Sequence, residues 1–235
     1  MSILAEQIAE AIRTHQPLPA FPEGLSLANG YELQLEVANL VAPDGFAGIK
    51  AGITSKQLQA IFGIDHALLG RLYRHGHLKS GAIVPFIEKQ LIECEIGITV
   101  DTDGQPVSAG VALEFAFAAF SSPSDATAPN LIAGNVAADK FLTGEQHPWR
   151  KSYDDIIIRF YRNDALINEA PITESLGGPA NAAQWIVQEA KRFNFEIPDS
   201  TLLMTGACGQ VVAALPGTYR ADYGDLGEVN FTIPE

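Results

Sequence analysis

The run Leu91-Ile92-Glu93-Cys94-Glu95-Ile96-Gly97-Ile98-Thr99-Val100 sets two glutamates into an otherwise apolar, β-branched stretch. Such a run reads as a β-strand. Residues i and i+2 of a strand point to the same face, so Glu93 and Glu95 share one side with Leu91, while Ile92, Cys94 and Ile96 take the other. Like charges held that close in apolar surroundings repel each other and resist leaving water unless something positive compensates them. A divalent cation is the natural compensator, because hard cations select carboxylate oxygen. An exposed edge strand with two solvated glutamates has the same pattern, and an E-x-E motif alone favours that simpler reading.

Glu114 shifts the balance. It lies in Val111-Ala112-Leu113-Glu114-Phe115-Ala116-Phe117, apolar on both sides, and a glutamate in such a run is rarely buried unpaired. The adjacent sequence offers no Arg or Lys to pair with it, so a metal shared with Glu93 and Glu95 is the economical account. Lys50 is a comparable oddity, a single cation among Gly48, Ile49, Ala51, Gly52 and Ile53. A lysine so placed either carries its ammonium out to water or faces an anionic pocket.

Outward from these residues the chain is ordinary in composition, with 47% hydrophobic and 18% charged residues in 235. Those values fit a folded chain rather than a disordered one. Fifteen basic against 28 acidic residues give a formal charge of −13, which repels phosphate backbones and argues against nucleic acid. Two cysteines, Cys94 and Cys208, make no disulfide framework. No stretch is long and apolar enough to span a membrane, and the N-terminal residues lack the pattern of a secretory signal, so a cytoplasmic location is the expectation. Ile3, Leu4, Ile8 and Ile12 predict an amphipathic helix over 3–14, and a second is expected from Ser26 to about Val41. A strand follows within 45–55, then a short helix capped by Ser55. From Ala82 the texture is β-rich, interrupted by a helix over 179–193. Strands without regular helical crossovers argue for a mixed or antiparallel sheet. The expected organisation is a helical segment, 1–44, before a β-rich domain, 45–235. His75 and His77 fall in a stretch that reads as a solvated loop, the alternative being a lid or a cluster that receives a distal carboxylate.

Six segments stand in the order expected of one family: GIKAGITSKQLQAIFGID (48–65), LIECEIGI (91–98), ALEF (112–115), GGPANAAQWI (177–186), LLMTGACGQVVA (202–213) and ADYGDLGEVNF (221–231). The chain resembles the 2-keto-4-pentenoate hydratase and 4-oxalocrotonate decarboxylase group of the fumarylacetoacetate hydrolase superfamily, from about Gly45 to Phe231. The resemblance implies an α+β fold, a mixed β-sandwich or β-roll core of the fumarylacetoacetate hydrolase type with N-terminal helices. It also implies a bound Mg²⁺ or Mn²⁺ and a homo-oligomer, in some cases complexed with a related lyase or aldolase of aromatic-compound catabolism. By position, Glu93, Glu95 and Glu114 match the family's metal ligands and Lys50 its active-site lysine. Ser55, Leu69, Gly206, Ala207 and Cys208 are the expected substrate-contacting positions, with the main-chain N–H groups of Ala207 and Cys208 facing the substrate.

The departures are specific. Where the hydratases carry Pro-Asp-Tyr/Phe-Gly this chain has Ala67-Leu68-Leu69-Gly70, with Leu69 in place of the acid. Gly134-Asn135 stands where Asp-Asn is common, and the Arg that often follows the third ligand is absent. Thr205-Gly206-Ala207-Cys208-Gly209 is nearer the hydratases' Thr-Gly-Ala-Leu-Gly. The resemblance thus implies hydration of a 2-hydroxy-2,4-dienoate to a 4-hydroxy-2-oxo acid. Decarboxylation of a 2-oxo-3-enedioate, or C–C cleavage of an acylpyruvate or oxaloacetate type, is the alternative. A non-catalytic subunit paired with an active homologue is a third reading, from a different class.

Overall fold

The computed structural model describes residues 2–235. In chain order its elements are α1 (Ile3–Thr14), α2 (Leu27–Val41), β1 (Phe46–Gly52), α3 (Lys56–Ile61), β2 (Leu68–Tyr73), β3 (His77–Lys79), β4 (Ala82–Ile83), β5 (Leu91–Val100), β6 (Pro106–Ala116), α4 (Ala128–Ala133), β7 (Ala138–Thr143), β8 (His147–Pro148), β9 (Ile157–Arg162), β10 (Ala165–Pro171), α5 (Pro179–Arg192), β11 (Thr201–Met204), β12 (Val212–Ala213), β13 (Gly217–Asp222) and β14 (Glu228–Ile233).

Local chemistry sets the helix ends. Ser2, Ser26, Ser55 and Thr127 are the N-caps of α1 to α4, each side chain accepting a backbone N–H of the first turn. Pro179 opens α5, where its missing N–H costs nothing. α1 ends at His15, which takes a left-handed conformation (φ 52°). The helices expected over 3–14, 26–41 and 179–193 are therefore present. The β-rich texture expected from Ala82 begins with a strand of only two residues, Ala82–Ile83, since Pro85 cannot donate to a ladder.

The larger sheet runs β2-β1-β11-β5-β6-β7-β3, with β12 on β5 and β8 on β6. β1 pairs parallel with β11, and β5 antiparallel with both β11 and β6. β2 packs against β7 near the opposite end of this order, so the sheet curls into a roll with an inner and an outer face. The smaller sheet runs β10-β9-β13-β14-β4. Its Phe160, Tyr219 and Phe231 stack on one another, and Phe231 meets Phe115 of β6 edge to face at 5.1 Å. The main core lies between these sheets and extends under α5, which buries Ala183, Ile186 and Ala190. This is the mixed, rolled α+β architecture expected from sequence.

α1 and α2 pack on Tyr73 and Ala138 through a smaller cluster containing Ile8, Ala9, Val37 and Ala38. α2 also reaches the main body. Gln34 Nε2 donates to the carbonyls of Leu69 and Ile132 (2.9 and 3.0 Å), and Tyr31 Oη accepts from the Leu69 N–H at 3.0 Å. Among the described residues no helix is long and apolar enough to cross a membrane.

Candidate active site

Strand register assembles the acidic cluster. Glu93 of β5 stands directly opposite Glu114 of β6, and Glu95, two residues on, projects to the same side opposite Ala112. One carboxylate oxygen from each of the three lies within 4.8 Å of the others. Glu95 and Glu114 are fully buried and Glu93 partly so. At an effective dielectric of about 20, each such pair of charges repels by roughly 3–4 kcal/mol. Burial pushes the Glu93 carboxyl up to about 7, with the Glu114 charge adding to the rise. Glu95 is held well above the ordinary carboxylate range by burial, then by the charges of Glu114 and Glu93.

Lys50 completes the cluster. Its Nζ lies 2.6 Å from Glu114 Oε1 and 2.9 Å from the Val136 carbonyl, and the side chain is buried. Burial would push this ammonium down, but Glu114, Glu93 and Glu95 outweigh it and hold it above the ordinary lysine value. The structure corrects one step of the sequence reading here. Glu114 does have a cationic partner, supplied by a strand 64 residues away and invisible in its immediate sequence. A salt bridge and a cation site are therefore not alternatives at Glu114, because its Oε2 remains buried without a hydrogen-bond partner.

The stem of Lys50 passes over Gly70, its register partner on β2. A Cβ at Gly70 would stand 3.1 Å from Lys50 Cγ and 2.9 Å from the Asn135 carbonyl oxygen. The Val136 carbonyl is aimed by a turn in which Asn135, Val136 and Ala137 all have positive φ (56°, 52° and 63°). A left-handed β-branched residue is a genuine outlier, of the kind that clusters at functional sites. Asn135 anchors this turn, its Oδ1 accepting the Arg71 N–H at 2.7 Å and its Nδ2 donating to the Arg71 carbonyl at 2.9 Å.

The loop after β11 closes another side. The Gly206 N–H donates to Glu95 Oε2 at 2.7 Å, leaving Glu95 Oε1 buried and unpartnered. Gly206 has φ 89°, and a Cβ there would strike the Thr54 side chain, so both conformation and space require glycine. Ser175 Oγ donates to the Thr205 carbonyl at 2.6 Å and steadies the loop. Below the carboxylates the inner face is apolar, with Leu72, Ala112, Phe141 and Met204.

Several expected contacts fall elsewhere. Leu69 pairs with Ala51 and is buried in the main core, because strand alternation turns it away from Lys50. On β2 it is Leu68, Gly70 and Leu72 that share the Lys50 face, with Leu68 opposite Gly52, so that face of β2 carries no carboxylate. Ser55 spends its hydroxyl capping α3 and is exposed. The Cys208 N–H donates to the Cys94 carbonyl at 2.8 Å and its thiol is buried, so neither is free for a ligand. Among the described residues the Ala207 N–H has no chain partner, and Ala207 is partly exposed. His77 is no loop residue. It begins β3, stacks on Phe141 at 4.7 Å and meets Thr143 Oγ1 at 2.7 Å. His75 stacks on Tyr73. Sequence reading missed Thr54, Ser175 and the Asn135–Ala137 turn, and a run of non-glycine left-handed residues leaves no signal in composition.

The structure superposes on 4-oxalocrotonate decarboxylase from Pseudomonas putida G7, complexed with magnesium and adipate, with a TM-score of 0.86 over 98% of this chain and 95% of that one, at 21% identity. The chain shares the fold of that decarboxylase. Sequence similarity reaches a 2-keto-4-pentenoate hydratase of Paraburkholderia phymatum, 23% identical over 99% of this chain and 97% of the relative. Fumarylpyruvate hydrolase from Pseudomonas aeruginosa, in complex with Mn²⁺ and pyruvate, shares the core more loosely, with a TM-score of 0.58 over 79% of this chain and 88% of that one, at 11% identity. No family model matches the chain.

Proposed function

We propose that the protein is a divalent-metal-dependent lyase that adds water to a 2-hydroxy-2,4-dienoate to give a 4-hydroxy-2-oxo acid. One observation carries this reading: Glu95 Oε1 and Glu114 Oε2 are buried beside Glu93 with no partner in the chain. An unmet buried acceptor costs about 1–3 kcal/mol and more when charged. Lys50 balances one of three carboxylates, and the two charges left over are those of one divalent cation. The donor set is all oxygen, which suits Mg²⁺ or Mn²⁺. Glu93, Glu95 and Glu114 would hold the ion, which when bound polarises the oxygens of a 2-oxo acid as a Lewis acid.

The chain's own groups divide the remaining work. Lys50, charged and fixed by Glu114 and Val136, holds or moves a proton at the enol oxygen. The Ala207 N–H is free to bind the substrate carboxylate, while Gly206 fixes the Glu95 rotamer. Met204 and Phe141 keep water from the enclosed side. The named hydratase relative and the Thr205–Gly209 loop support hydration. The second reading, decarboxylation of a 2-oxo-3-enedioate, is favoured by Leu68, which leaves no carboxylate on β2 facing Lys50. We extend the proposal to a cytoplasmic homo-oligomer acting in aromatic-compound breakdown.

The test offers 2-hydroxypenta-2,4-dienoate and 2-oxohex-3-enedioate separately with Mg²⁺, following loss of dienol absorbance and release of CO₂. Hydration of the first with little CO₂ from the second supports the proposal. Rapid CO₂ release with an inert dienoate replaces it with the decarboxylase reading, and silence on both supports a different 2-oxo acid or the non-catalytic subunit.

A further inference from the structure

A second site lies on the outer face of β1 and β2, across the sheet from Lys50. Arg71 pairs with Ile49 one register position from the Lys50–Gly70 pair, so its side chain leaves the opposite face. It is 7% exposed, yet among the described residues its guanidinium makes no ion pair within 4.0 Å and no hydrogen bond, and its Nε is buried without a partner. A buried guanidinium normally finds a carboxylate or carbonyl, since leaving it unmet is costly. Its guanidinium carbon lies over the Phe195 ring, 3.8 Å from the ring centre, with the Phe46 ring centre at 5.3 Å. A guanidinium held over a ring face keeps its N–H groups for a ligand, because the ring offers them no hydrogen-bond acceptor in the guanidinium plane.

Arg71 lines a cleft of about 720 Å³. Asn39 and Asn194 line it with amide donors, and Arg74, already tied to the Phe46 carbonyl at 2.8 Å, adds a second cation. Leu35, Phe46 and Ala47 supply apolar wall. Glu196 and Asp199 stand at the rim, and neither comes within ion-pair distance of Arg71.

We propose that this cleft is a binding site for a small organic carboxylate with an apolar tail, the carboxylate taken in the plane of Arg71 and the tail laid on Leu35 and Phe46. A planar carboxylate matches the guanidinium fork in two parallel bonds, and the apolar wall distinguishes such a ligand from inorganic anions. Nothing in the proposal draws on the acidic cluster, which lies on the other face.

Titration calorimetry on the full-length, metal-free protein tests it, with benzoate as the probe and acetate and inorganic phosphate as comparisons. Benzoate should bind one per chain, more tightly than either comparison. Arg71→Met should weaken it about tenfold or more, and Glu95→Gln should leave it unchanged. The β2 backbone at Arg71 is held by Asn135 whatever the side chain. As a second variant that keeps Arg71, Asn39→Asp sets a carboxylate into the cleft and should also block benzoate. Phosphate binding tighter than benzoate, benzoate binding unaffected by both cleft variants, or no saturable benzoate binding in the millimolar range would each overturn the proposal.

Discussion

Lys50 Nζ sits 2.6 Å from Glu114 Oε1, and both side chains are buried. One lysine thus faces a cluster of three carboxylates, which it balances only in part. Removing one partner of a buried pair costs about 3–5 kcal/mol, because the other charge is left behind. Lys50→Met should accordingly destabilise the metal-free protein by about that amount in urea unfolding. Activity should fall by roughly a hundredfold or more once folding is restored with excess metal. An unchanged rate in the folded variant would return Lys50 to a purely structural role.

Gly70 tests whether the space around the Lys50 stem matters. A Cβ there meets Lys50 Cγ at 3.1 Å and the Asn135 carbonyl oxygen at 2.9 Å. Overpacking of this kind costs about 1–3 kcal/mol. Gly70→Ala should fold, melt lower, and lose a larger share of turnover than of metal affinity. Equal losses in both would show that the methyl disturbs the whole cluster rather than the lysine.

Cys94 and Cys208 should be inert. Both are buried, and burial pushes each thiol up to about 12. Since the thiolate is the reactive form, a thiol reagent should label neither cysteine in the native protein and both after unfolding. Fast native labelling of Cys208 would place its side chain at an open site beside the carboxylates.

Asp139 couples α1 to the roll, 3.0 Å from His15 Nε2 and 2.9 Å from Lys140 Nζ, and accepts from Gln90 at 2.7 Å. Burial raises its carboxyl, but the contact with His15 and the Lys140 charge outweigh this and leave it below the ordinary value of 3.8. A depressed acid adds stability above its unfolded pKa and loses it as pH falls through the folded one. Below about pH 4, the parent should therefore lose stability more steeply than Asp139→Asn, measured by urea unfolding. Parallel acid limbs would remove Asp139 from the account.

The local parts of this structure were legible because local rules make them. Serine caps and apolar spacing define α1 and α2, and strand alternation puts Glu93 and Glu95 on one face. What failed depended on register between distant strands. The partner of Glu114 arrives from β1, and Leu68 rather than Leu69 faces it because the β1–β2 pairing sets Gly70 opposite Lys50. β2, β3 and β7 were not foreseen as strands, since their short polar-interrupted runs take shape only by closing the roll. Cys208 was misplaced for a related reason, as its N–H is claimed by Cys94 across the sheet.

The central claim is a cation held by Glu93, Glu95 and Glu114. Calorimetric titration of Mn²⁺ into metal-free parent and Glu95→Gln protein tests it directly, with circular dichroism confirming that both are folded. The account predicts one ion per parent chain, a higher melting temperature when it is bound, and an affinity lower by about tenfold or more in Glu95→Gln. Equal affinity in the two proteins, or no binding by the folded parent, would contradict it.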